Sequence, residues 1–246
     1  MMPQLSNCSV TLFGKNLETS YFHLDNLSTV AKNELSNIFK TTIPTQLEYL
    51  DLKTNDLYQQ DFTEIKSSFD FIPDSVRGLG LSYNCLGDKS TEDNLPVLMR
   101  AIPQNITHVD LSGNYLSAKS GQQLKNAIDG LHQKIESLDL SANDLSELPV
   151  LDFQWLMASV SRFKKINLSR NNLYQKTSDE LYEIFSKLNC DLNTTELDLT
   201  DNYFDIEQII SIQKALSPFE NIIFYDDGQV HTLSSIIGPS APELAP

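Results

Sequence analysis

Positive charge is scarce in this sequence: 18 Lys and Arg stand against 33 Asp and Glu, a formal charge of −15. A phosphate backbone is gripped by a basic patch, and an anionic membrane surface by a polybasic segment. The composition therefore argues against nucleic-acid and membrane-surface partners. Long apolar runs are also missing, and none approaches the roughly 20 residues of a membrane span. The start, Met1-Met2-Pro3-Gln4-Leu5-Ser6-Asn7, lacks the basic-then-apolar layout of a Sec signal peptide. Cysteine is sparse: Cys8, Cys85 and Cys190 are scattered and odd in number. They read as reduced thiols of a cytosol-like compartment, not as a disulfide framework or zinc site.

Catalytic signatures are absent as well. There is no HExxH, no CxxC pair and no GxSxG elbow. Gly78-Leu79-Gly80 lacks the third glycine of a dinucleotide fingerprint, and in Gly87-Asp88-Lys89-Ser90 a residue separates Gly from the Lys of a P-loop. His23, His108, His132 and His231 are isolated, and Cys85 has no adjacent base. The expectation is no catalytic residue, no metal and no cofactor.

What the sequence does have is one phrase repeated six times. It runs Leu50-Asp51-Leu52-Lys53-Thr54-Asn55-Asp56-Leu57, then recurs from Leu79, Val109, Leu138, Ile166 and Leu197. In five of the six an apolar residue sits three positions earlier: Leu47, Val76, Ile106, Ile135 and Phe163; the sixth has Thr194. This is the leucine-rich repeat pattern LxxLxLxxNxL. Apolar residues two apart share one face of a short strand. The Asn then turns inward, where its amide satisfies backbone groups that stacking would orphan.

The Asn-to-Asn steps of 29, 30, 29, 28 and 31 leave room for a helix in each repeat. Apolar residues spaced i, i+3, i+4 predict those helices at Leu95/Leu98/Met99, Leu124/Ala127/Ile128, Phe153/Leu156/Met157, Leu181/Ile184/Phe185 and Ile212/Ala215/Leu216. Ile65 and Phe69, and Leu35/Ile38/Phe39, continue the series upstream. Ser120 with Gln123 fits a capping box, and Ser90, Thr91 and Ser178 are candidate N-caps. The fold class is therefore α/β, a horseshoe solenoid with a parallel sheet on the concave side and helices on the convex side. Residues 1–45 read as a degenerate capping repeat plus an extra strand or turn. Two registers fit: Val10, Leu12 and Leu17 with Lys15 in the Asn place, or Asn26, 29 before Asn55. Residues 46–237 form the repeat domain, ending in a decayed strand at Ile223, Tyr225, Gly228 and Val230, and the Pro-rich residues 238–246 read as a disordered tail.

Leu86-Gly87-Asp88-Lys89-Ser90, followed by Leu98 through Asn114, resembles leucine-rich repeat effectors of Legionella and related intracellular bacteria. The Leu-x-x-Lys-Ser turn recurs as Leu116-Ser117-Ala118-Lys119-Ser120 and, loosely, as Leu173-Tyr174-Gln175-Lys176-Thr177. The resemblance covers roughly residues 45–230. It implies a protein delivered by a type IV secretion system into the host cytosol, without a Sec signal, that acts by binding.

The candidate site is a surface, the outward residues of the strands. It comprises Tyr49, Asp51, Lys53, Tyr83, His108, Asp110, Asp139, Lys165, Asn167, Arg170, Glu196, Asp198 and Asp201, with Phe224 and Asp226 on a last strand. Counting Asp227, eight acidic groups face three basic ones. One row, Asp51, Gly80, Asp110, Asp139, Asn167, Asp198, sets carboxylates at the roughly 4.8 Å strand spacing, where like charges raise each other's pKa. Two readings of the row stay open. It is an anionic track for Lys and Arg of a partner, or a repeat feature that hydrogen-bonds Ser112, Ser141 and Thr200. Tyr49 and Tyr83 on the strand face, and Tyr115, Tyr174 and Tyr203 in the loops, are candidate anchors. Gly78, Gly80 and Ser82 offer a shallow approach to the backbone, and Trp155 reads as packing on its convex helix. The expected function is a non-catalytic module, a monomer when free, whose acidic concave face binds a protein with a basic patch and, in the stronger form of this reading, inhibits it. An adaptor that bridges host proteins is the alternative, and an enzyme with an unrecognised site the third.

Overall fold

The computed structural model describes residues 6–12, 15–31, 34–88, 94–189, 196–216, 224–226 and 229–231. The proposed caps Ser90 and Thr91 and the 238–246 tail lie outside these residues.

Seven strands run parallel in one open sheet: β2 (Lys15–His23), β3 (Tyr49–Asp51), β4 (Gly78–Gly80), β5 (His108–Asp110), β6 (Ser137–Asp139), β7 (Lys165–Asn167) and β8 (Glu196–Asp198). An eighth, β1 (Ser6–Leu12), pairs antiparallel with β2 at the N-terminal edge. Each parallel strand is followed by a helix: α1 (Leu35–Thr42), α2 (Phe62–Phe69), α3 (Leu95–Ala101), α4 (Gly121–Ile128), α5 (Val150–Val160), α6 (Ser178–Phe185) and α7 (Ile206–Ala215). Helices are about 10 Å wide and strands about 4.8 Å apart, so stacking both bends the sheet inward. The molecule is a leucine-rich repeat solenoid.

The core is the set of leucines read from the repeat. The mid-strand row Leu50, Leu79, Val109, Leu138, Ile166, Leu197 is buried throughout, as is Leu47, Val76, Ile106, Ile135, Phe163. From the convex side Phe39, Ile65, Phe69, Leu98, Met99, Leu124, Phe153, Leu181, Phe185 and Ile212 close on it. The Ser120–Gln123 capping box is present. Two more, Thr177–Glu180 and Asp205–Gln208, start α6 and α7; Thr177, not Ser178, is the N-cap of α6.

The asparagines lock the stack. The Asn114 Oδ1 accepts the N–H of Asn84 at 2.8 Å and of Leu86 at 3.3 Å, both in the preceding repeat. Its Nδ2 donates to the carbonyl of Leu81 at 3.0 Å in that repeat and of Leu111 at 2.9 Å in its own. Asn55, Asn84, Asn143, Asn171 and Asn202 repeat this pattern, each buried to 1% exposure or less. To aim each amide inward the chain takes left-handed conformations on both sides of it: Thr54 and Asp56, Tyr83 and Cys85, Gly113 and Tyr115, Ala142 and Asp144, Arg170 and Asn172, Asp201 and Tyr203.

The N-terminal registers are both corrected. Lys15 begins β2, in a hairpin with β1, and does not hold an Asn place. Leu24-Asp25-Asn26-Leu27 is two residues shorter than Leu52-Lys53-Thr54-Asn55-Asp56-Leu57. Asn26 therefore stands where Asp56 does, at positive φ before a 3-10 turn, and its amide bonds only Asp25. The Leu27 N–H goes to Asn55 Oδ1 at 2.9 Å, which ends the ladder. Among the described residues no parallel strand precedes β2, so an inward amide here has no neighbouring turn to satisfy. At the other end β9 (Phe224–Asp226) pairs antiparallel with β10 (Gln229–His231) in a separate two-stranded sheet.

Asn114→Ala leaves several buried backbone groups unpaired. We expect a loss of about 3–5 kcal/mol in urea unfolding, against less than about 0.5 kcal/mol for the exposed helical Gln122→Ala. Thr54 is β-branched at φ 59° and exposed. Asn tolerates that conformation, so Thr54→Asn should raise the thermal midpoint by about 2 °C.

Candidate functional site

The pairing register lays the outward residues in straight rows. One runs Tyr21, Tyr49, Gly78, His108, Ser137, Lys165, Glu196; the next runs His23, Asp51, Gly80, Asp110, Asp139, Asn167, Asp198. Tyr21 and His23 were not among the expected site residues, because the shortened first loop hides their register.

The carboxylate row is built into the backbone. An Oδ1 oxygen accepts the N–H two residues on in each case: Asp51 from Lys53 at 2.9 Å, Asp110 from Ser112 at 2.8 Å, Asp139 from Ser141 at 2.8 Å and Asp198 from Thr200 at 2.9 Å. Asn167 does the same for Ser169 at 2.9 Å. A strand of three residues ends there, and the side chain takes the amide that the ladder leaves over. The second oxygen of Asp51 accepts from the Tyr21 hydroxyl and lies 3.2 Å from His23 Nδ1. That of Asp139 accepts from Asn167 Nδ2 at 2.8 Å.

Asp110 and Asp139 are direct neighbours in this row. Burial pushes both pKa values up; the charge of Asp51 adds to the rise at Asp110 and that of Asp110 to the rise at Asp139, taking Asp139 to about 6, while hydrogen bonds from serine and amide groups partly offset it. They titrate as a pair.

Several expected site residues take other roles. Tyr49 and Asp51 are buried, at 7% and 8% exposure. The Tyr49 ring stacks on Tyr21 with centroids 5.8 Å apart and lies across β4. A Cβ at Gly78 would come within 2.3 Å of that ring, and one at Gly80 within 2.9 Å of its hydroxyl. The shallow approach expected at Gly78 and Gly80 is thus filled by tyrosine, and Ser82 is buried. The Tyr49 phenol is held well above its ordinary pKa by burial and then by Asp110 and Asp51. Tyr83 stands in the turn at φ 53°, not on the strand, with its ring over Gly113. Phe224 and Asp226 belong to the separate hairpin and leave the concave row; Asp227 lies outside the described residues. Lys53, Arg170 and Asp201 likewise stand in the turns that follow their strands, so among the described residues the acidic groups on the strands themselves are Asp51, Asp110, Asp139, Glu196 and Asp198.

The remaining groups face solvent. Lys53 Nζ sits 4.9 Å from the centre of the Tyr83 ring. Lys165 pairs with Glu196 at 2.7 Å and Arg170 with Asp201 at 2.9 Å. His108 is half-buried beside the Thr107 hydroxyl at 2.7 Å, and burial lowers its pKa. Burial, then Asp56, pushes the Cys85 thiol up, the opposite of an activated nucleophile. Among the described residues no group of three or more His, Cys, Asp or Glu is placed to hold a metal ion. Nor is any helix among them long and apolar enough to cross a membrane. Trp155 lies on α5 and is 37% exposed, so it packs only in part.

No protein-family model matches the chain. The leucine-rich repeat-containing protein LegL7 from Legionella pneumophila has a similar crystal structure, with a TM-score of 0.69 and 30% identity over 79% of this chain. The chain spans 61% of that protein. Over 87 residues it is 28% identical to RAN GTPase-activating protein 2 of Arabidopsis thaliana, 35% of this chain and 16% of the plant protein. That match is the length of about three repeats. The architecture is that of a protein-interaction module.

The coupled pair sets a pH dependence. A carboxyl pKa raised on folding means that the native state holds more protons between about pH 4 and 6, so stability falls as pH rises through that window. Asp110→Asn keeps the acceptor for Ser112 and sets an amide beside Asp139 as Asn167 does. We expect it to stabilise the fold by about 1–2 kcal/mol at pH 8 and by clearly less at pH 4.5, read from thermal melts at both values.

Proposed function

We propose that this chain is a non-catalytic binding protein, monomeric when free, that grips a protein partner through the concave sheet and its flanking loops. The observation that carries this reading is the continuous, in-register strip of outward side chains on seven parallel strands. Six carboxylates of the strands and their turns (Asp51, Asp110, Asp139, Glu196, Asp198, Asp201) stand against three cations (Lys53, Lys165, Arg170), so the partner presents a basic patch and is steered by it. We further propose that it is an effector, delivered by a type IV system into a host cytosol, whose binding covers and inhibits a host enzyme or another effector. The similarity to the Legionella protein supports this reading.

The geometry changes how the face should be tested. Lysine at Asp110 or Asp139 would strip a buried amide of its acceptor and unfold the strand end, so loss of binding there would say nothing of recognition. Glu196 is exposed, and Asn at Asp198 still accepts the Thr200 N–H. Glu196→Lys/Asp198→Asn frees Lys165 from its ion pair and turns that end of the face positive. A protein captured from host lysate by the wild type and then purified should bind this variant about tenfold more weakly, with a shallower salt dependence. Equal affinity for both proteins would overturn the concave-face reading.

A further inference from the structure

Three tyrosines sit where the fold has least use for them. Tyr83, Tyr115 and Tyr203 flank the ladder asparagines at φ 53°, 56° and 57°. Of the nine other equivalent positions in the repeats, five hold Asp56, Gly113, Asp144, Asn172 and Asp201, residue types that accept this conformation, and four hold the smaller or flexible Thr54, Cys85, Ala142 and Arg170; only the tyrosines put a large aromatic ring there. Tyrosine there is strained, and burial does not offset the strain: the three are 48%, 58% and 75% exposed. Tyr174, 48% exposed, meets Tyr203 edge to face at 6.2 Å. These rings stand along one rim of the sheet, where the strands turn out into the loops.

The same rim is acidic. Asp56, Asp144, Glu147 and Asp201 lie on it, and its Lys119 and Lys176 are turned back onto the Asp88 and Leu148 carbonyls of the preceding repeats. Cations of the protein already seek these rings. Lys53 stacks on Tyr83, and Arg170, held by Asp201, lies within electrostatic reach of Tyr83 and Tyr203. Among the described residues no cation stands over Tyr115 or Tyr203.

We propose that this tyrosine-bearing rim binds an extended, arginine-bearing segment of a partner protein, guanidinium planes stacking on the tyrosine faces and pairing with the rim carboxylates. Arginine suits it better than lysine because its planar, weakly hydrated group stacks and hydrogen-bonds at once. Tyr115 and Tyr203 are three repeats apart, about 14 Å at strand spacing, a span of about four residues of extended chain. The proposal rests on the binding-protein reading but moves the contact from the floor of the sheet to its rim.

The test is fluorescence anisotropy with labelled peptides of alternating Arg and Gly, Lys and Gly, or Glu and Gly. The variant is Tyr115→Asn/Tyr203→Asn, which should melt at or above the wild-type temperature because Asn accepts positive φ. The expected result is tightest binding of the arginine peptide, none of the glutamate peptide, and about a tenfold loss in the tyrosine variant. Partner capture by Glu196→Lys/Asp198→Asn reads the floor and peptide binding by Tyr115→Asn/Tyr203→Asn reads the rim, so failure of one reading is distinguishable from failure of the other. Equal binding of the arginine peptide by wild type and the tyrosine variant would overturn the proposal. So would equal binding of the arginine and lysine peptides.

Discussion

The buried asparagine amide is the interaction on which this molecule depends. A stack of turns leaves backbone N–H and C=O groups facing a dry interior, where each unpaired group costs on the order of 1–3 kcal/mol. A carboxamide has two acceptor sites and two donors, and Asn114 uses all four, three of its bonds reaching back one repeat and one staying in its own turn. Aspartate has no donors to offer, and glutamine is a methylene too long for the turn. The leucine rows bring repeats together without direction. The amides fix how far one repeat stands from the next, and therefore where every outward side chain lies.

That fixing has a cost on the concave side. A strand of three residues leaves an amide at its end, and Asp51, Asp110, Asp139, Asn167 and Asp198 bend back to accept it. The row that looks most like a charged track is thus largely occupied by its own backbone. Burial, and then the neighbouring charge of Asp110, raises the Asp139 carboxyl to about 6. Groups with freedom to meet a partner stand at the margins: Lys53, Glu196, Arg170 and Asp201, and the tyrosines of the turns. The solenoid uses much of its floor for structure and leaves its exposed side chains at the edge.

The repeat made the architecture legible, because a period of 28–31 residues with fixed leucines and asparagine encodes strand, turn and helix in every copy. The buried rows and the convex helices stand where the spacing puts them. The sequence was silent where local geometry departs from the period. Dropping two residues between Leu24 and Leu27 shifted Asn26 out of the ladder and hid Tyr21 and His23 from the rows they extend. The filling of the Gly78–Gly80 strand by Tyr49 was beyond reach for another reason. It depends on a side chain of the neighbouring repeat lying sideways, and strand alternation predicts only up or down. An aspartate pattern likewise does not tell a surface charge from a cap on the next turn.

Because each ladder amide bonds only to its own and the preceding turn, the solenoid behaves as a ruler with one graduation per repeat. Duplicating a single repeat between Tyr115 and Tyr203 would satisfy every buried group and lengthen the distance between those two rings by one graduation, about 5 Å. The steps of 28 to 31 residues show that the segment between one asparagine and the next strand absorbs small changes of length, whereas an insertion between a strand and its asparagine would put the amide out of phase and break the stack. Recognition distances along this surface are therefore quantised by the same hydrogen bonds that make it stable. Descendants of such a gene can retune their reach only in whole steps.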